Sequence, residues 1–246
     1  MYRLGLLNHF FDHLIEQEQL TTHPCRHLKI RGQQQNKLYP VLIRSQLESI
    51  YLDYVIPSET DYRSNRNWFM TTLLRKRRNK VILGLMIYQG LTTAEVERID
   101  LQHLDLRAGT VLILGSRKSN ERILELKPGQ IMELMEYQFQ TRVQILHYHT
   151  ETTNALFLSL PNVGSKVSTN CLQIWKRISR EIREQHPFFI NFKQVRASVI
   201  VAWLNMHNLR QVQYMAGHRY VGSTEKYLLH QVEDLQADID KFHPMG

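Results

Sequence analysis

The chain has 246 residues, 43% of them hydrophobic and 22% charged, a balance that excludes wholesale disorder and fits one domain, or one domain plus a fragment. No apolar run approaches the roughly 20 residues that span a bilayer, the first apolar stretch breaks too early for a secretory signal, and two cysteines, Cys25 and Cys171, can form neither a disulfide framework nor a cysteine zinc site; a reducing, cytoplasmic setting is expected. The formal net charge is +8, and it is uneven: residues 29–80 carry 11 basic and 4 acidic side chains, whereas residues 225–246 carry 5 acids and 2 bases, so the basic block suits a polyanion such as nucleic acid.

Residues 3–19 read as an amphipathic helix, with Leu6, Leu7, Phe10, Phe11 and Leu14 at helical spacing. Residues 29–40 are polar and nearly free of apolar side chains, as a linker would be. Helical periodicity resumes over 44–55 through Leu47, Ile50 and Leu52, and again over 79–90, stopped by Gly90. The period then changes. Thr110-Val-Leu-Ile-Leu114 and Arg122-Ile-Leu-Glu-Leu126 are strand-like, and the turn formers between them carry Arg117 and Lys118, which predicts a β-hairpin with a basic tip. Residues 129–147, 168–184, 192–207 and 209–215 read as helix, and 221–240 as helix in one or two pieces. The expected fold is mainly α with a small antiparallel β-sheet, in the α+β class. The expected organisation is a last helix of another domain at 1–28, a basic linker at 29–40, and a main domain at 41–246 with a helical tail.

Four stretches between residues 88 and 227 carry the polar chemistry. Each has an ordinary structural explanation when taken alone. Thr92 or Thr93 can cap a helix with Glu95 in its first turn. Lys118 can be a solvated turn charge. Arg196 can be a core-edge arginine paired to an acid. Gly217 can stop a helix before His218, and Tyr227 can be a packing residue.

Taken together and in order, these stretches resemble one family, the tyrosine recombinases or phage-type integrases. The family's Gly-Leu-Arg-x-x-Glu after a helix reads here Gly90-Leu91-Thr92-Thr93-Ala94-Glu95. Its hairpin lysine is matched by Lys118, and its His-x-x-Arg helix by Lys193-Gln194-Val195-Arg196. Its Leu-Gly-His followed nine residues later by tyrosine is matched by Ala216-Gly217-His218 and Tyr227. The resemblance covers about residues 1–243, with the first helix looking like the end of the family's N-terminal core-binding domain. It implies site-specific DNA breakage and rejoining through a 3′-phosphotyrosine, with no metal or other cofactor. Tyr227 would then be the nucleophile, Arg196 and His218 phosphate donors, and Lys118 the general acid. Lys193 stands where a histidine is usual and would donate to phosphate.

The first departure is Thr92, which stands where the family's first arginine belongs and supplies no fixed charge. Arg117 is the expected substitute, with Arg98 second. Arg75, Lys76, Arg77, Arg78 and Lys80, together with Arg219, are expected to contact DNA phosphates. Partners implied are double-stranded DNA and further copies of the chain, as a tetramer on DNA joined through the C-terminal helix, and no membrane. Two other readings stay open: a degenerate DNA-binding module or accessory subunit of a recombinase, and a helical protein-interaction domain with no DNA role. The basic block argues against the last.

Overall fold

A stretch that is apolar on every side belongs in a core. Residues 81–87 are such a stretch, and in the computed structural model, which describes residues 2–25, 39–58, 66–160 and 172–228, they form the second half of a long helix, α3 (Arg66–Tyr88). Val81, Ile82, Leu83, Leu85, Met86 and Ile87 are all buried. Around α3 pack α2 (Arg44–Leu52), α5 (Pro128–Glu136), α6 (Arg142–Leu146) and α8 (Phe192–Leu204). Gly84 makes room for this, because a Cβ there would meet Tyr51 at 3.2 Å and Gln130 at 3.3 Å. The periodicity expected for a helix at 79–90 therefore marks only the buried half; the helix extends back through the basic run to Arg66.

The sheet is antiparallel, in the order β1–β2–β3: Leu104–Asp105, Thr110–Ile113 and Arg122–Glu125. The register pairs Val111 with Leu124 and Ile113 with Arg122. Val111, Ile113, Arg122 and Leu124 are buried, while Ile123 and Glu125 face out. The hairpin is as the sequence pattern indicates; the two-residue strand β1 is an addition, too short to leave a periodicity. The expected helix at 129–147 is one continuous rod with a π turn at Tyr137–Thr141 between α5 and α6. Beside that wider turn, Tyr137 donates to the Leu156 carbonyl, and Arg142 reaches the carbonyls of Thr153 and Ala155.

Helix α7 (Leu172–Gln185) buries Ile174, Trp175, Ile178 and Ile182 along one stripe. Helix α8 begins at Asn191, whose side chain accepts from the Gln194 N–H. Gln194 donates to the Pro40 carbonyl and Ser198 Oγ accepts from the Leu42 N–H, so the strap before α2 is fastened to α8. A short α9 (Leu209–Ala216) and α10 (Gly222–Glu225) follow, with Val212 and Ala216 buried and β3 against α9. No described helix is long and apolar enough to cross a membrane.

The chain divides into two units, Met1–Leu38 and Tyr39–Gly246. In the first, α1 (Tyr2–Glu16) stacks Phe11 edge-on against His23, whose Nε2 lies 3.4 Å from Asp12. The expected linker up to residue 38, the first residues of the helix predicted at 168–184, Cys171, and the tail helix from residue 229 onward lie outside the described residues.

Of the basic run expected to contact phosphates, Arg78 and Lys80 are buried, while Arg75, Lys76 and Arg77 are partly exposed. Arg78 is 2% exposed and donates to the Leu158 carbonyl and to Asn79. Lys80 is 9% exposed; its ammonium bonds the Tyr51 carbonyl and sits over the Tyr51 ring. Lys76 pairs with Glu181 at 3.1 Å, Arg77 with Glu136 at 3.3 Å, and Arg75 donates to Thr72. Arg78 and Lys80 lie where α3 enters the core, and there only a hydrogen-bonded charge is tolerated.

Candidate active site

The turn after α3 is shaped by a reciprocal cap. Thr92 Oγ1 accepts from the Glu95 N–H at 3.2 Å, and Glu95 Oε2 accepts from the Thr92 N–H and hydroxyl at 2.9 Å each, starting α4 (Thr93–Val96). This leaves the Glu95 carboxylate buried and in need of cations. Two arginines supply them. Arg122, from the first position of β3, donates Nη1 to Glu95 Oε1 at 2.8 Å; Arg196, from the second turn of α8, brings Nη1 within 3.4 Å of Oε2. The three side chains are 0% (Arg122), 4% (Glu95) and 13% (Arg196) exposed.

The arginines also fasten the backbone around them. Arg196 donates to the Gly90 carbonyl at 2.5 Å and to the Ala216 carbonyl at 2.6 Å. Arg122 Nε donates to the Met215 carbonyl at 2.8 Å. Helix α9 then ends at Gly217 in the left-handed region, φ +69°. A Cβ there would lie 2.8 Å from the Arg122 Cζ and closer still to Nη1, so both the turn and the guanidinium exclude any side chain. The Gly217 carbonyl accepts from Asn120 N–H at 2.9 Å, and Ser119 bridges His218 in antiparallel fashion. The hairpin tip is thereby pinned beside His218, with Lys118 next in sequence and its side chain exposed. His218 Nδ1 lies 2.9 Å from Thr224 Oγ1, and the Tyr227 ring stacks on the imidazole at 5.8 Å between centroids and 8° between planes. Tyr227 is half-buried, in a turn just past α10.

Burial alone would push the Glu95 carboxyl up, but the Arg122 hydrogen bond and charge, aided by Arg196 and the Thr92 N–H, bring it down to about 2. His218 is pushed down to about 4, first by burial and then by the charges of Arg196 and Arg122. Near neutral pH the site therefore holds a carboxylate, two guanidinium ions and a neutral imidazole. If the Thr224 hydroxyl donates to Nδ1, the ring proton sits on Nε2, a donor facing away from Thr224.

Residues 43–234, most of the chain, match the sequence profile of the phage integrase family. The chain belongs to that family. Two curated relatives of this integrase-family chain illustrate the range. The tyrosine recombinase XerC of Actinobacillus succinogenes is 26% identical over 247 residues, covering 98% of this chain and 74% of the relative. That of Pseudomonas entomophila is 29% identical over 171 residues, covering 68% and 53%; the chain thus spans about half the length of several relatives it matches. Among solved structures, a post-cleavage complex of the XerH site-specific recombinase bound to palindromic difH substrate aligns with a TM-score of 0.61 at 17% identity, over 96% of this chain and 65% of that one. The XerA recombinase aligns at 0.56 and 15% identity, over 85% and 67%. The mainly helical fold with a small antiparallel sheet is thus the fold of tyrosine recombinases.

Of the residues singled out from the integrase-like motifs, Arg196, His218 and Tyr227 converge, with the Lys118 hairpin bridged to them. Lys193 lies one turn before Arg196, exposed. Arg98 donates to the Ala94 and Gly115 carbonyls, and Arg117 is exposed at the tip; neither meets Glu95. Arg122 was missed. Its signal was an arginine in phase with Leu124 and Leu126 on the inward face of a strand, where an apolar residue is the norm. Exposed cations on the segments that build this site include Arg98, Arg117, Lys118, Lys193, Arg210, Arg219 and Lys226, with Glu97, Glu121, Glu125 and Glu225 interspersed.

Proposed function

We propose that this chain is a site-specific DNA recombinase that breaks and rejoins duplex DNA through a 3′-phosphotyrosine. The observation that carries the reading is the convergence of the Arg196 guanidinium, the His218 imidazole and the Tyr227 ring on one spot beside the basic hairpin. The Tyr227 oxygen bonds to phosphorus while the bond from phosphorus to the 5′ oxygen breaks. The phenol proton passes to water, and Lys118 protonates the leaving 5′ oxygen. Arg196 and His218 Nε2–H hold the nonbridging oxygens, whose charge grows in the transition state. Lys193 adds a further donor. Attack by a 5′ hydroxyl on the phosphotyrosine reverses the step, so religation needs no energy source. The reacting chemistry requires no metal or cofactor.

The partner in this reading is double-stranded DNA, as for the XerH recombinase bound to its difH substrate. The exposed cations around the site, Arg219 among them, contact its phosphates, and recombination proceeds in a tetramer on DNA joined through the C-terminal tail. Residues 1–28 act as the last helix of a core-binding domain, and 29–40 as the linker to the catalytic domain at 41–246.

The test is a nicked suicide duplex incubated with the full chain. An SDS-resistant covalent adduct that is absent in Tyr227→Phe supports the reading. Salt-sensitive binding without an adduct, even with an active partner recombinase present, replaces it with a DNA-binding accessory role, the outcome that Thr92 favours.

A further inference from the structure

Glu95 is a buried carboxylate, ionised near neutral pH, 3.4 Å from the arginine that is to hold the phosphate. Arg196 and Glu95 alone sum to zero, and a neutral pair attracts an incoming phosphate weakly. Thr92 adds nothing, because its hydroxyl and N–H are both engaged by Glu95 Oε2. Arg98 and Arg117 do not reach Glu95. Among the buried groups of the site, the one that changes the sum is Arg122, 2.8 Å from Glu95 Oε1 and closed off behind Gly217.

We propose that Arg122 is a positioning residue that cancels the Glu95 charge, leaving Arg196 with a net positive field for the scissile phosphate in a chain whose first-motif position contributes none. This rests on the recombinase reading above. Arg122 does not need to touch the substrate. It acts through Glu95, whose second oxygen Arg196 then shares only loosely. Its Nη2 is buried with no hydrogen-bond partner among the described residues, which leaves the cluster with surplus donor capacity.

The charge role separates from a purely structural one by compensation. The initial rate of adduct formation on the nicked duplex is measured at saturating DNA for the wild type, Arg122→Met, Glu95→Gln, the double variant and Arg122→Lys. Removing the cation alone is expected to slow the reaction at least about tenfold. Neutralising Glu95 as well restores net positive charge, so the double variant returns to within about threefold of wild type, and Arg122→Lys, which keeps the cation, stays well above Arg122→Met. A double variant as slow as Arg122→Met, or an Arg122→Met as fast as wild type, overturns the proposal. If Arg122→Met does not fold, the double variant and Arg122→Lys decide, and a double variant slowed tenfold or more overturns it. A wild type that forms no adduct sinks the recombinase reading instead. The charge role is then read from His218 by NMR titration: higher in Arg122→Lys or Arg122→Met in proportion to the cation's displacement, and back toward wild type in the double variant. An unmoved His218 overturns it.

Discussion

Replacing Gly217 with alanine perturbs two things at once, and the structure separates them. The residue sits at φ +69°, where an L side chain costs about 1–2 kcal/mol. The added Cβ would also fall 2.8 Å from the Arg122 Cζ, closer than any real contact, so the guanidinium must move. It cannot move far without losing Glu95 and the Met215 carbonyl, and leaving a buried carboxylate under-paired costs about 3–5 kcal/mol. Allowing for partial relaxation, Gly217→Ala should destabilise the chain by about 4 kcal/mol or more, read by urea denaturation at neutral pH. Gly129 is the control: nothing lies within 4 Å of a Cβ there and its φ is not positive, so Gly129→Ala should be neutral or slightly stabilising. In an Arg122→Met, Glu95→Gln background the charge penalty vanishes, and Gly217→Ala should cost only the backbone strain plus residual crowding, roughly half as much. A Gly217→Ala variant within about 1 kcal/mol of wild type would refute the packing argument on which the site rests.

Other outcomes follow from the same geometry. Both His218 and Glu95 titrate below their ordinary values, so each contributes stability that is full above its unfolded value and is lost as pH falls through its folded one. Melting temperature should therefore drop first between about pH 6.5 and 4 and again toward pH 2, and His218→Gln should flatten the first decline; an unchanged profile counts against the buried imidazole. Thr92→Ala removes the α4 cap and should cost about 1 kcal/mol by denaturant unfolding. Thr92→Arg loses the same cap but adds a cation near Arg196, so adduct formation should rise; an unchanged rate means another group already fills that place. Arg219→Gln should weaken DNA binding alike on all sequences and lower the salt slope by about 1, whereas Lys80→Met should destabilise the fold, as denaturation would detect.

The sequence alone carried what is local or ordered along the chain. Hydrophobic period placed the hairpin, α2, α8, α9 and the buried half of α3, because each of these buries one face or more of its own segment. The order of Gly90-Leu91, the basic turn, Arg196, Gly217-His218 and Tyr227 carried the family, because spacing along the chain survives without coordinates. What the sequence could not carry was the sign of a neighbourhood. The charges of 75–80 looked like a surface for phosphates, yet α3 runs through the core and Arg78 and Lys80 are bonded inside it. The substitutes expected for the absent arginine, Arg117 and Arg98, are neighbours of Lys118 and Thr92 along the chain, and neither meets Glu95. Only the tertiary fold brings the first residue of β3 against Glu95, 27 positions earlier, and against the end of α9, 93 positions later. A buried charge is set by what packs around it in three dimensions, and that is decided when distant segments close on one another.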